Sequence, residues 1–293
     1  MRRFPDDPGL VAVLNHFGIG ADARLGHGGE AWVYALDAAR VVRVLHEGGR
    51  AVDLERRQRL VDELARADRS FALPEVLDVG EVDGRVFAIE RRLEGRSVMD
   101  ELAQCEGAAR ARLIEAHLDA AAALGDLHLE PRDGFGDLIA EDGITTSTWR
   151  EYLELRATAN LGVAARELDS VDPIAVCGAF PEPAAADFVH LDAFAGNMLT
   201  DGTRITAVLD IGPTSVGGDR RLDPLSAAVY LASPDITPVA TPADVDVAMS
   251  WLRAAGLYDW FVPAQRWIAA FWAFAVDDPR VLRFCRAVLL EPS

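Results

Sequence analysis

His190-Leu191-Asp192-Ala193-Phe194-Ala195-Gly196-Asn197, followed after a short interval by Ile205-Thr206-Ala207-Val208-Leu209-Asp210, sets a carboxylate, an amide and a second carboxylate in one ordered stretch. When a phosphoryl group leaves a nucleoside triphosphate, its charge spreads over oxygens. A protein then mainly positions the reactants, neutralises charge through a metal, and offers one carboxylate to the attacking hydroxyl. Asp192 has the place of that carboxylate. Asn197 and Asp210 supply amide and carboxylate oxygens, the donor type that Mg2+ prefers. Between them, Met198-Leu199-Thr200 and Ile205 to Leu209 read as two short strands, with Asp201-Gly202 as a hairpin turn signal. Such a hairpin brings Asn197 and Asp210 together. His190, just ahead of Asp192, is assigned a structural, loop-bracing role.

Singly these residues are weak signals: Asp-x-x-x-x-Asn arises by chance, and an Asp at a strand end is often a turn cap. Their joint occurrence with matching features upstream gives the stretch its weight. Gly26-His27-Gly28-Gly29-Glu30 precedes Ala31-Trp32-Val33-Tyr34-Ala35-Leu36, and Val41-Val42-Arg43-Val44-Leu45 comes after a short turn. The expected hairpin would lay the backbone N–H groups of Gly26, Gly28 and Gly29 over phosphates. Arg43 stands where a kinase strand carries its phosphate-pairing lysine. An arginine can serve there as a fork of donors, with different geometry.

A helix is expected over residues 51–67, from the spacing of Leu54, Leu60, Val61 and Leu64. Glu55 is the foremost candidate to pair with Arg43, with Asp62 and Glu63 as alternatives on the same helix. A second hairpin is expected around Asp83-Gly84, joining residues 73–82 to 85–91. At Leu93-Glu94-Gly95-Arg96 the strand pattern breaks, and most of the remaining chain has helical periodicity. A nucleotide base is expected in that crease, bonded to main-chain groups near Glu90 and Arg91. Residues 134–148 read as loop, with Ser147 or Thr148 capping a helix from Trp149. Asp223 is expected to cap a helix that carries Pro224 in its first turn.

The chain has 293 residues, half of them hydrophobic, which is enough for two lobes. No apolar run approaches the length of a membrane span, and Pro5-Asp6-Asp7-Pro8-Gly9 interrupts any signal-peptide core. Cys105, Cys177 and Cys285 lack metal-ligand spacing, so free thiols in the cytoplasm are expected. The net charge of −18 speaks against nucleic acid or an anionic membrane as partner, and would draw in a cationic small molecule. Every basic chain residue apart from histidine is arginine; lysine is absent.

Taken in order, these segments resemble the aminoglycoside phosphotransferase family. The likeness rests on the glycine loop, Val41 to Val44, Leu73 to Glu81, Ile89 to Gly95, Gly134-Phe135-Gly136, Thr148-Trp149-Arg150, His190 to Asn197 and Ile205 to Asp210. The resemblance implies an α+β, bilobal protein-kinase-like fold, with a β-rich N-lobe over 1–92 and a larger, mostly helical C-lobe over 93–293. It also implies Asp192 as base, Asn197 and Asp210 as ligands of Mg2+, and ATP or GTP as phosphate donor. The expected enzyme is a monomer that phosphorylates a hydroxyl of a small molecule, foremost an aminoglycoside-type antibiotic. Another sugar, amino alcohol or secondary metabolite is the alternative acceptor. Ala193-Phe194-Ala195-Gly196 and Ile211-Gly212 depart from the family pattern and loosen the inference to an aminoglycoside. The missing lysine alone would suit a nucleotide-binding pseudokinase, and the retained Asp192, Asn197 and Asp210 argue against it.

Overall fold

Period-two alternation sorts the first sheet into two buried faces. Strands β1 (Arg24–His27), β2 (Ala31–Ala35), β3 (Arg40–Leu45), β4 (Val76–Val82) and β5 (Arg85–Arg91) form an antiparallel sheet in the order β1-β2-β3-β5-β4. On one face Trp32, Tyr34, Val42, Val44 and Phe87 pack with Leu10, Val13 and Leu14 of helix α1 (Pro8–Phe17). On the other, Ala31, Leu45, Val86 and Ala88 pack with Leu54 of helix α2 (Ala51–Leu64). This computed structural model describes residues 7–178 and 180–290.

Local chemistry fixes the ends of these elements. Asp7 caps α1 by accepting from the N–H of Leu10 at 2.9 Å, Pro8 opens the helix, and Gly18 ends it with φ of 65°. Asp83 and Gly84 both have positive φ, 50° and 75°, which matches the twist of a two-residue hairpin turn between β4 and β5.

Beyond β5 the chain is mainly helical. It runs through β6 (Arg96–Ser97), α3 (Val98–Leu102), α4 (Gly107–Ala123), β7 (Phe135–Asp137), β8 (Thr145–Thr146), α5 (Trp149–Val163) and α6 (Ala165–Leu168). Then come β9 (Asp187–Val189), β10 (Met198–Thr200), β11 (Ile205–Val208), β12 (Val216–Gly218), α7 (Leu222–Leu231), α8 (Pro242–Ala254), α9 (Phe261–Phe271) and α10 (Pro279–Leu290). One core joins them, with Trp149, Tyr152, Phe188 and Trp267 fully buried. Of the C-terminal aromatics, Trp267 and Phe271 are core, whereas Tyr258 and Phe274 are exposed. Among the described residues no helix is long and apolar enough to cross a membrane.

Two expectations are corrected. The stretch 134–148 is not all loop: β7 and β8 add to β12 and β9 in a four-stranded sheet. Gly136 takes φ of 148°, and a Cβ there would lie 2.1 Å from the Ile144 carbonyl oxygen, so close backbone pairing demands glycine. Asp223 is not a helix cap either. It lies inside the first turn of α7, fully buried, with its carboxylate turned to another segment. The cap of α5 is Thr148, whose hydroxyl accepts from the N–H of Glu151.

Candidate active site

The loop from His190 to Asn197 is held through many of its backbone groups, as buried polar backbone requires. Asp223 accepts from the N–H of His190 at 2.9 Å and of Leu191 at 2.9 Å. The Asp192 N–H donates to Nδ1 of His190, whose Nε2 lies 2.8 Å from the Leu209 carbonyl. Because a carbonyl can only accept, Nε2 carries the proton and Nδ1 is free to accept from Asp192. The ring is neutral, and burial holds its pKa below the usual value. Tyr230 donates to the Leu191 carbonyl at 2.6 Å and receives the Trp272 indole N–H. His117 of α4 reaches the Ala193 carbonyl at 2.9 Å, and the Met99 N–H takes that of Ala195.

This scaffold imposes an uncommon backbone. Leu191 and Asp210, neither a glycine, have φ of 61° and 59°. Each such residue costs on the order of 1–3 kcal/mol and persists only where its surroundings enforce it. At Leu191 the enforcement is Asp223 on one side and Tyr230 on the other.

Asn197 and Asp192 meet directly, the amide nitrogen donating to Oδ2 of Asp192 at 2.8 Å and to its carbonyl at 3.1 Å. With its nitrogen committed, Asn197 has its oxygen left for a cation. The hairpin of β10 and β11 turns through Asp201 and Arg204, and the N–H of Leu209 donates to the Asn197 carbonyl at 2.7 Å. Asn197 and the residue before Asp210 are thereby joined. Burial and the neighbouring Asp210 carboxylate push the Asp192 carboxyl well above its ordinary range, against the Asn197 hydrogen bond. For Asp210, burial acts upward too, but Arg43 and Arg57 outweigh it and hold the group below its usual value.

Across the cleft, Arg43 of β3 lies on the α2-facing side of the sheet. Its Nη1 donates to Asp210 Oδ1 at 3.1 Å, and its Nε stands 3.0 Å from Glu90. Arg43 pairs in register with Ala88, and Val41 with Glu90, so the contact to Glu90 is a diagonal one on the same face. The expected partner Glu55 is exposed and makes no such pair. Helical geometry explains this: Leu54, Arg57, Leu60, Val61 and Leu64 form the buried stripe of α2, and Glu55 projects roughly 200° around from Arg57. Arg57 is not among the residues that the sequence singles out; its one signal there is its place on that stripe.

Glu90 therefore contributes a buried side chain rather than only a main-chain contact in the crease. The Arg91 N–H, expected near a nucleotide base, is taken by the Glu75 carbonyl at 2.9 Å, and the Arg91 side chain points outward to Glu75. Of the glycine segment, Gly26 lies within β1 opposite Val33, and Gly28 and Gly29 lie in the turn to β2, with the Gly28 N–H donating to the Ala31 carbonyl at 3.0 Å. A Cβ built at Gly26, Gly28 or Gly29 meets no atom within 4 Å. The packing of the chain thus leaves open room at all three positions.

Comparison with known proteins agrees with this architecture. The model of the phosphotransferase enzyme family, APH, matches residues 23–233. Among curated proteins, hygromycin-B 4-O-kinase of Escherichia coli is 30% identical over 153 residues. That match covers 49% of this chain and 44% of the relative, less than half its length. The gentamicin complex of APH(2")-IIa superposes with a TM-score of 0.63 at 14% identity, covering 100% of this chain and 98% of the other. The GDP complex of wild-type aminoglycoside 2'-phosphotransferase-IIIa gives 0.61 at 14% identity, over 97% and 98%. The streptomycin-ATP-APH(2")-IIa ternary complex gives 0.60 at 14%, over 100% and 98%. At that identity the structures establish the shared bilobal kinase-like fold.

Proposed function

The chain belongs to the phosphotransferase enzyme family, and we propose that it moves the γ-phosphate of ATP or GTP to a hydroxyl of a small molecule, foremost an aminoglycoside-type antibiotic. One observation carries the proposal: a single braced loop and hairpin bring Asp192, Asn197 and Asp210 together opposite Arg43.

The residues fit a magnesium site. Asn197 and Asp210 offer oxygen donors, the Asp210 side chain is 44% exposed, and magnesium bound by few protein groups keeps waters and phosphate oxygens as its other ligands. When bound there, the ion neutralises charge on the phosphates. The chain's own groups do the rest. Asp192 accepts the proton of the attacking hydroxyl, its raised pKa bringing it nearer the operating range of a general base. Asn197 fixes the orientation of Asp192, and His190 braces the loop. Arg43 binds phosphates, with the glycine segment of Gly26, Gly28 and Gly29 lying over them. In this reading residues 1–92 hold the nucleotide and 93–293 the catalytic loop and the acceptor. The net charge of −18 favours a cationic acceptor, and three free cysteines suit a reducing cytoplasm.

The test is nucleoside diphosphate release with ATP or GTP and Mg2+ against a panel: hygromycin B, other aminoglycosides, neutral sugars and amino alcohols. Phosphorylation of an aminoglycoside supports the reading. Turnover of only a neutral sugar or amino alcohol moves the acceptor class. Nucleotide binding without transfer to any acceptor contradicts the enzyme assignment.

A further inference from the structure

Helix α2 presents Arg43 with a cation where the sequence led us to expect an acid. Each acid of α2 is placed elsewhere. Asp53 binds Arg50 at 2.7 Å, Asp62 accepts from Gln58 at 2.6 Å, Glu63 pairs with Arg132 at 2.9 Å, and Glu55 is exposed. On the buried stripe stands Arg57, 8% exposed. Its Nη1 lies 3.2 Å from Oε1 of Glu90, the same oxygen that Nε of Arg43 approaches at 3.0 Å.

Two guanidinium groups share one oxygen of Glu90, so that carboxylate by itself balances only one of them. Nη2 of Arg57 is buried with no hydrogen-bond partner among the described residues. Burying a second cation beside the first opposes folding unless an anion answers it. The protein's own answer lies on the cleft side: Asp210, 3.1 Å from Arg43, and Glu30 at the end of the glycine loop, within electrostatic reach of both arginines. Asp210 is the carboxylate proposed for the metal, so in the working complex the phosphates of the ligand join Glu30 in supplying the counter-charge.

We propose that Arg57 is a positioning residue for the nucleotide. Through Glu90 it fixes Arg43 against the sheet, and its positive charge raises the affinity of the cleft for polyphosphate. This rests on the nucleotide-binding role proposed for the cleft. Arg57 adds a second cation behind the Arg43–Glu90 pair, so its effect scales with the charge of the ligand and not with the base.

The test compares Arg57→Met and Arg57→Lys with the wild type in calorimetric binding of nucleoside, nucleoside diphosphate and nucleoside triphosphate, with Mg2+ present. Arg57→Met should lose about tenfold in triphosphate affinity, less for diphosphate, and under about twofold for the nucleoside. Arg57→Lys, keeping the charge, should recover most of the triphosphate affinity. Equal losses for all three ligands, or none, would overturn the proposal and identify Arg57 as a packing residue. If Arg57→Met does not fold, Arg57→Gln, which keeps a donor for Glu90 but no charge, takes its place: a loss that grows with ligand charge supports the proposal, and equal losses for all three ligands count against it. A wild-type protein that binds no triphosphate would instead refute the nucleotide-binding role itself.

Discussion

Nη1 of Arg43 and Oδ1 of Asp210 lie 3.1 Å apart, joining the central strand of the first sheet to the end of the β10–β11 hairpin. The arginine side chain is 13% exposed and the aspartate 44%, so the cation is fixed and the carboxylate stands toward the cleft. Arg43→Ala should lower kcat/KM for the nucleotide by about 10²–10³, since it removes both the proposed phosphate donor and the partner of Asp210. Arg43→Lys keeps the charge but loses the fork that reaches Glu90 and Asp210 together, and should recover only part of the loss. Steady-state kinetics with varied nucleotide separates the two variants.

Asp223 satisfies two backbone N–H groups of the catalytic loop and enforces the positive φ of Leu191. Asp223→Ala leaves both donors buried without a partner, at about 1–3 kcal/mol each. A fall in Tm is expected, together with a loss in kcat of at least about tenfold, because the base is carried by the loop that relaxes. Thermal melts and kinetics on the same preparation test both. Unchanged kcat would show that Asp192 does not depend on this brace.

His117 gives a pH signature. Burial lowers its pKa to about 4, so it is neutral in the fold while the unfolded chain takes up a proton near pH 6.5. The stability it contributes is fully present above about pH 6.5 and is lost as pH falls toward 4, by about 3 kcal/mol in all. Asp223 slopes the other way in much the same window, because burial raises its carboxyl to about 7. Denaturant melts of wild type and His117→Gln isolate the histidine: the stability difference between them should shrink from pH 7 to pH 4. A difference independent of pH would contradict a neutral buried His117.

Asn197 is assigned to the metal through its oxygen while its nitrogen holds Asp192. Asn197→Ala should raise the Mg2+ concentration for half-maximal rate severalfold and lower kcat as well, since Asp192 loses its orienting partner. Titrating Mg2+ at saturating nucleotide measures the first effect. Chelation of divalent cations should abolish transfer in every variant.

Legibility in sequence tracked the range of the interactions. The hairpins at Asp83-Gly84 and Asp201-Gly202, the strand carrying Arg43 and the spacing of Asp192, Asn197 and Asp210 are local patterns, and the structure places them on the expected elements. The partner of Arg43 was not local. Four acids crowd α2, and only the rotation of the helix against the sheet decides that Arg57 faces inward and Glu55 outward. Asp223 reads as a helix cap beside Pro224, and its contact with His190 and Leu191 spans more than thirty residues of chain. Tyr230 and Trp272 likewise read as core aromatics until the fold brings their polar ends to the Leu191 carbonyl.

The role of Asp192 as base is tested most directly by the single-turnover rate of phosphate transfer in Asp192→Asn, measured beside nucleotide affinity on an acceptor that the wild type phosphorylates. Transfer should fall by at least about 10²–10³ while nucleotide affinity stays within about threefold of wild type. Transfer at the wild-type rate would remove Asp192 from the chemistry and, with it, the assignment of the loop.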